Sequence, residues 1–261
     1  MNELAASLRR LPADTLRALA FFTRLPVPSP GGPFELHRAA GAWPLAGLIV
    51  ALPAAALFLV ARAVHCPPLT AALVALAALA LLGGGLHEDA LADCADGLGG
   101  GRTSEQKLDI MRDSRIGNYG ALALIFSVLI RAAALAALAE RPLHAAGALL
   151  GVAVLSRAVA LSHWATTEPA RRDGLAFAAG RPSEAALSIG VAQGMLAAFA
   201  MFALFQPAAL LGLTLAAAGV AFFTEHCRRA IGGHTGDTIG AAQQIAETLL
   251  LLGISAGAAS I

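Results

Sequence analysis

Apolar residues in this chain come in long continuous blocks, broken by short polar stretches, with no sustained alternation between the two. A helix that crosses a bilayer needs ~20 mostly apolar residues. Seven blocks have about that length: residues 41–64, 67–86, 117–138, 143–165, 185–205, 207–224 and 239–261. The pattern therefore predicts an all-α, polytopic integral membrane protein with about seven transmembrane helices. A transmembrane barrel is excluded, because its strands would alternate apolar and polar positions. The sixth block is the shortest, and its link to the fifth through Gln206 and Pro207 makes that pair a helical hairpin. Pro44 and Pro53 fall inside the first block, which membrane helices accept when neighbours satisfy the freed carbonyls. The whole chain, 1–261, reads as a single membrane domain.

The charges between the blocks orient them. With the N-terminus placed in the cytoplasm, the inner segments carry Arg9, Arg10, Arg17, Arg24, Arg38, Arg102, Lys107, Arg112, Arg115, Arg171, Arg172, Arg181, Arg228 and Arg229. The outer loops carry only Arg62 and Arg141, and Arg131 and Arg157 lie within spans. Basic residues gather on the cytoplasmic side of membrane proteins, so the expected orientation is N-terminus inside and C-terminus outside. The inner loops, at about 87–116, 166–184 and 225–238, are also the long polar ones, which places the chemistry on the cytoplasmic face. Residues 1–24 carry arginines throughout and lack the apolar run of a signal peptide. They read as a cytoplasmic, partly amphipathic segment on the membrane surface.

Composition agrees: 57% of residues are hydrophobic and 13% charged, against about 25% charged in soluble domains. A net charge of +1 gives no electrostatic basis for binding nucleic acid. Cys66, Cys94 and Cys227 form no CxxC pair and read as small apolar fillers.

The candidate chemistry starts at residues 83–101, GGGLHEDALADCADGLGGG. Asp89, Asp93 and Asp96 are spaced i, i+4, i+7, which on a helix puts them within about 60° of one another. Converging carboxylates repel unless a cation neutralises them. Oxygen-only donors suit a hard cation such as Mg²⁺, which binds through a few carboxylates plus substrate phosphates. Glu88 lies off that face and His87 nearly opposite. The flanking glycines are expected to end the helix and admit a bulky ligand. Downstream, Thr103 and Gln106 predict a capping box on a short helix with Leu108 and Met111 on its apolar side. Arg112 and Arg115 would then face the acidic cluster as phosphate ligands. A second polar motif, GGHTGDTIGAAQQIAE at residues 232–247, offers Asp237 and Gln244 on one helix face. Thr235 and Thr238 can cap that helix or hold phosphate oxygens; His234 has no single reading. Arg157 within the fourth span is a functional candidate or a paired structural arginine, and Trp164 reads as an interface anchor.

These motifs, together with KLDIMRDSRIGNYGALAL and with FFTRLPVP at residues 21–28, make the chain similar to the cobalamin synthase family of ribazoletransferases, from about Phe21 into the last span. Ala90 and Cys94 depart from the family pattern between the aspartates. The resemblance implies transfer of adenosylcobinamide phosphate from adenosylcobinamide-GDP to α-ribazole or α-ribazole 5′-phosphate, with release of GMP. It also implies a Mg²⁺ requirement and a multi-pass position in the inner membrane with a cytoplasmic active site. On that reading Asp89, Asp93, Asp96 and Asp237 are the expected metal ligands. Asp89 or Glu88 is the candidate proton acceptor, with His87 beside them, and Arg112, Arg115, Thr235, Thr238 and Gln244 are the candidate phosphate and substrate contacts. Expected partners are the two substrates and the bilayer; other late cobamide-assembly enzymes and a second copy of the chain are candidates. The competing readings are a CDP-alcohol type phosphotransferase, whose Ala-Arg after the first Asp-Gly is missing at Leu98–Gly99, and a corrinoid transporter, which the gathering of polar residues on one face disfavours.

Overall fold

The computed structural model describes residues 3–28 and 35–258, and among them every regular element is helical. The order is α1 (Glu3–Phe22), α2 (Leu36–Ala39), α3 (Trp43–Ala63), α4 (Pro68–Leu82), α5 (Leu86–Gly100), α6 (Ser104–Ile110), α7 (Asn118–Ala137), α8 (Pro142–Thr166), α9 (Gly174–Ala179), α10 (Glu184–Phe205), α11 (Pro207–Ile231) and α12 (Gly236–Ala258). A single 3₁₀ turn joins α2 to α3. The last predicted span continues to residue 261, and residues 259–261 lie outside the described part.

Six helices are long and apolar enough to cross a membrane, or seven if the bent pair α4 with α5 is counted as one broken span. The bend corrects the reading of residues 67–86 as one straight span that carries the carboxylates on its end. α4 has 15 residues, about 22 Å at 1.5 Å per residue, which falls short of a ~30 Å hydrocarbon core. The chain then turns by 90° into α5. Gly84 and Gly85 make the turn, with φ of +63° and +71°, a left-handed conformation that a Cβ strains. The Arg24 N–H donates to the Leu82 carbonyl at 2.7 Å, so the FFTRLPVP segment closes the open end of α4. The later glycines end α5 as expected, at Gly100, with Gly101 as its extended C-cap.

The capping box at Thr103 and Gln106 is formed, with both reciprocal bonds present. The sixth predicted span is longer than expected, because α11 carries its polar tail to Ile231. α1 is more than a surface segment: Thr15, Ala18 and Leu19 are buried where it packs beside α3 and α10.

α8 and α12 form the centre, with most of their apolar stretch buried, while α10 is almost wholly peripheral. The core between them is dominated by alanine, with Phe58, Leu135, Leu250 and Leu251 filling the gaps. Small side chains let helices approach closely where lipid offers no hydrophobic drive for association. Outward-facing Met195, Leu196, Phe199 and Phe222 are each about 70% exposed or more, the condition expected of side chains solvated by acyl chains.

Candidate active site

The carboxylate helix α5 packs against α12 on one side and the start of α7 on the other. Its three aspartates therefore separate. Asp96 is buried, and its two carboxylate oxygens accept the Gly117 N–H at 2.7 Å and the Gly120 N–H at 2.9 Å. It is the anionic cap of α7, where free N–H groups and the helix dipole favour negative charge. A Cβ at Gly117 or Gly120 would run into this carboxylate, which gives IGNYG its glycines. Asp96 is thus turned to α7 instead of standing beside Asp89 and Asp93 as a shared ligand. Asp89 is exposed and Asp93 half-buried, and the charges acting on Asp93 are Asp89, Asp237 and Asp96.

Asp237 reaches this region from the first turn of α12. That turn is set by a reciprocal pair: Thr238 N–H donates to Thr235 Oγ1 at 3.2 Å, and Thr235 N–H donates to Thr238 Oγ1 at 2.9 Å. Both threonines are buried, so of their two predicted roles the structure shows capping. Asp237 Oδ2 accepts from the Thr235 hydroxyl at 3.1 Å and pairs with Arg171 at 3.2 Å. Arg171 is brought there by an isolated backbone bridge between Pro169 and His234, in which His234 N–H donates to the Glu168 carbonyl and Ala170 N–H to the His234 carbonyl, both at 2.8 Å.

These elements enclose a cavity of about 350 Å³, whose wall includes His87, Asp89, Asp237, Arg157 and Arg171. The rest of the wall is largely apolar and aromatic. Phe22 meets Trp43 edge-on at 4.9 Å, and Trp43 stacks on Trp164 at 5.0 Å. Trp164 is fully buried and donates to the Gly180 carbonyl at 2.8 Å; it is a cavity wall and not an interface anchor. Behind the wall, His163 is held between the Thr224 and Thr238 hydroxyls at 2.9 and 3.0 Å.

A second polar assembly lies along α7 and α12. Arg131, buried, pairs with Glu247 at 2.8 Å and lies 3.9 Å from Glu88. Gln244 donates to Glu88 at 3.1 Å, and Gln243 donates to Glu247 at 2.6 Å and to the Ser156 hydroxyl at 3.0 Å. Buried charges are tolerated only when paired in this way. Arg157 borders both this assembly and the cavity and donates to the Ala153 carbonyl at 2.9 Å.

The structure thus brings His87, Asp89, Asp237 and Thr235 onto one cavity and puts Glu88 and Gln244 into the neighbouring ion-pair assembly. Arg112 and Arg115 do not line the cavity, although Arg112 pairs with Asp173, which does. Arg112 forms a two-pronged pair with Asp173 at 2.6 Å, and Arg115 folds back on Asp113. Hydrogen bonds from Arg115 hold the Asp113 carboxyl at a pKa of about 2. The cavity's cations are Arg157 and Arg171, and sequence reading singled out only the first. Arg171 and Asp237 are 66 residues apart, and no spacing rule links them. The glutamine pair and Glu247 carried a signal, being polar residues inside an apolar span.

Among the described residues no three His, Cys, Asp or Glu side chains are gathered to hold a metal ion, so the expected shell of four aspartates is not assembled. What remains is a pair of carboxylates on the cavity wall, Asp89 and Asp237, with Asp93 near enough to feel both charges. That donor set suits Mg²⁺, which takes one or two protein carboxylates and completes its shell with water and substrate phosphates.

The profile of the cobalamin-5-phosphate synthase family matches residues 14–255. A relative from Rhizobium etli (strain CIAT 652) is 48% identical over 249 residues, covering 93% of this chain and 96% of its own length. Relatives from Sinorhizobium medicae and Azorhizobium caulinodans are 47% and 44% identical and cover 91% and 94% of this chain and 94% and 96% of their own. All three are named adenosylcobinamide-GDP ribazoletransferase. No solved structure matches.

Proposed function

The chain belongs to the cobalamin-5-phosphate synthase family, and from that premise we propose how it works. It is an enzyme, an adenosylcobinamide-GDP ribazoletransferase: a ribose hydroxyl of α-ribazole or its 5′-phosphate attacks the phosphorus that carries the corrinoid. A phosphodiester forms, and the bond to GMP breaks. The observation that carries the assignment of the site is the meeting of Asp89 and Asp237 with Arg157 and Arg171 around one cavity. Phosphoryl transfer of this kind depends mainly on positioning and on neutralising charge.

Arg171 and Arg157 bind diphosphate oxygens, Arg171 exchanging its Asp237 contact for phosphate as the substrate enters. Guanidinium groups suit this by geometry as well as charge. Asp93 and Asp237 would hold Mg²⁺, which takes one or two protein carboxylates and would supply charge neutralisation at the diphosphate. With its oxygens occupied by α7, Asp96 serves by fixing α5. Asp89, exposed and on the cavity wall, is placed to accept the proton of the attacking hydroxyl, whereas Glu88 is held by Gln244 and Arg131. The apolar helices embed the enzyme as a multi-pass membrane protein. The positive-inside distribution supports a cytoplasmic site in the inner membrane.

The test is GMP release by the purified chain in liposomes supplied with adenosylcobinamide-GDP, α-ribazole 5′-phosphate and Mg²⁺. Release that requires Mg²⁺, is stopped by EDTA and falls at least a hundredfold in Asp93→Asn is expected. Turnover unchanged by EDTA, or by Asp93→Asn, would overturn the metal-site assignment.

A further inference from the structure

Between α8 and α10 the chain passes over one side of the cavity. Gly174, Leu175, Ala176 and Phe177 of α9 belong to the cavity wall, yet no residue of α9 is buried. A segment with the cavity on one side and solvent on the other separates the two. Of its side chains only Ala179, in the last turn, packs against a buried apolar cluster, and segments so thinly packed open at low cost. The flanks, by contrast, are fixed. Upstream, Pro169 is bridged to His234 and Arg171 is paired with Asp237. Downstream, the Gly180 carbonyl accepts the Trp164 indole N–H, and the Ser183 N–H donates to the His37 carbonyl at 3.1 Å. A glycine stands at each end of the free stretch, Gly174 with φ of +80° and Gly180 with φ of +67°. A Cβ at either would meet nothing within 4 Å, so the backbone conformation, and not lack of space, calls for glycine there. Asp173 occupies the N-cap position of α9 but makes no capping bond. Both its carboxylate oxygens accept instead from Arg112 Nη2 at 2.6 Å. Arg112 follows Met111, which is 3% exposed and sits in a buried cluster with Cys94 of α5 and Cys227 of α11. The free stretch is thereby latched to the helix that carries the aspartates.

Resting on the reading that this is the ribazoletransferase site, we propose that α9 is a lid over the cavity, hinged at Gly174 and Gly180, and that Arg112 and Asp173 are positioning residues that hold the lid shut. The reaction requires such a cover. A ribose hydroxyl must reach the phosphorus ahead of water, which is present in large excess, and a closed site excludes that competitor. With the lid displaced, water attacks the same phosphorus, the P–O bond to GMP breaks, and the proton of the attacking water passes to solvent. The products are then adenosylcobinamide phosphate and GMP, with no cobamide. The latch is suited to repeated opening. The side chains of Arg112 and Asp173 are 51% and 59% exposed, and a pair so open to water biases an equilibrium by no more than about fivefold. It favours the closed lid without locking it, so substrates can enter and products leave. The same exposure means that removing either charge leaves the fold intact. Leu175 and Phe177, at 57% and 46% exposed, bring apolar surface to the cavity that bound substrate covers, which adds to closure once the site is filled.

Two readouts test the lid, one of them independent of substrate. Ala176 is half-buried on the cavity wall. Ala176→Cys in a Cys66→Ser background leaves Cys94 and Cys227, both buried, as the other cysteines. In nanodiscs, Arg112→Gln and Asp173→Asn should each speed maleimide labelling at position 176 by about threefold. With adenosylcobinamide-GDP, α-ribazole 5′-phosphate and Mg²⁺ supplied, the wild-type chain should release GMP and form cobamide in equal amounts. Each single variant should release GMP in about twofold excess over cobamide, at an unchanged melting point. A loop that had merely lost stability would lower both products together and leave their ratio alone. The charge swap, Arg112→Asp with Asp173→Arg, should restore slow labelling and equal product yields. Wild-type labelling rates in the single variants, GMP and cobamide still equal in them, or a swap no better than its single variants would each overturn the proposal. A wild-type chain that releases no GMP sinks the reaction instead, and the labelling rates still decide the lid.

Discussion

At the scale of single residues, chemically identical side chains have been given different work by what surrounds them. Asp93 and Asp96 are three positions apart on one helix, yet Asp96 accepts two backbone N–H groups of α7 while Asp93 faces Asp89 and Asp237. Their amide variants should therefore differ in kind. Asp93→Asn should keep the wild-type melting point and lose Mg²⁺-dependent turnover. Asp96→Asn should lose stability first, by about 1–2 kcal/mol, the range of a lost helix cap, seen as an earlier thermal unfolding in detergent. His234 adds a pH dependence. Burial holds its pKa below the usual imidazole range, so below about pH 6.5 the unfolded chain takes up a proton that the folded chain refuses. The stability His234 contributes is intact above that pH and drains away as pH falls toward its lowered folded pKa. The difference in melting point between wild type and His234→Asn should shrink on acidification from pH 7.5 to 5.5; a constant difference would mean that the histidine does not titrate in this way.

At the scale of elements, two junctions hold the site together. The first is the glycine turn between α4 and α5. Valine at Gly84 or Gly85, where φ is +63° and +71°, must strain or unwind the turn at a cost of about 1–2 kcal/mol for each left-handed position. It should also re-aim α5, so turnover should fall by more than the stability loss accounts for. GMP release in Gly85→Val, normalised to folded protein, checks this. The second junction is the buried pair of Arg131 on α7 and Glu247 on α12. Arg131→Met alone strands two carboxylates, Glu247 and Glu88, and should destabilise by about 3–5 kcal/mol. Adding Glu247→Met should recover part of that loss, and a double-mutant cycle on thermal unfolding measures the coupling.

At the scale of the whole molecule, the distribution of charge sets the orientation and the helix packing sets which groups are reachable. Cys66, between α3 and α4, is partly exposed, while Cys94 and Cys227 are buried. With the N-terminus in the cytoplasm, Cys66 faces outward. A membrane-impermeant maleimide added to intact cells (spheroplasts where an outer membrane intervenes) should label it, and a cysteine placed at the exposed Arg102, in a Cys66→Ser background, should be labelled only after the membrane is opened. The reverse pattern would invert the topology and move the active site to the other face.

What was legible in the sequence was local. Continuous apolar blocks located the long helices and most of their ends, the ends of α4 and α11 and the start of α12 excepted, because burying a backbone in lipid leaves the helix as the only single-segment fold that satisfies its own N–H and C=O groups. The capping box at Thr103 and the acidic motif of α5 could likewise be read from residues a turn or two apart. Pairings across the fold could not be read. The ion pair of Arg171 with Asp237, the cap that Asp96 lends to α7, the Glu88–Gln244 contact and the shared wall of Trp43 and Trp164 join residues 21 to 156 positions apart. Helical periodicity says which side of a helix a residue occupies but nothing about which helix comes to lie against that side. That was decided by the packing of small residues around α8 and α12 and by a right-angle turn at two glycines, so only the tertiary structure shows which of the predicted carboxylates and arginines share one cavity.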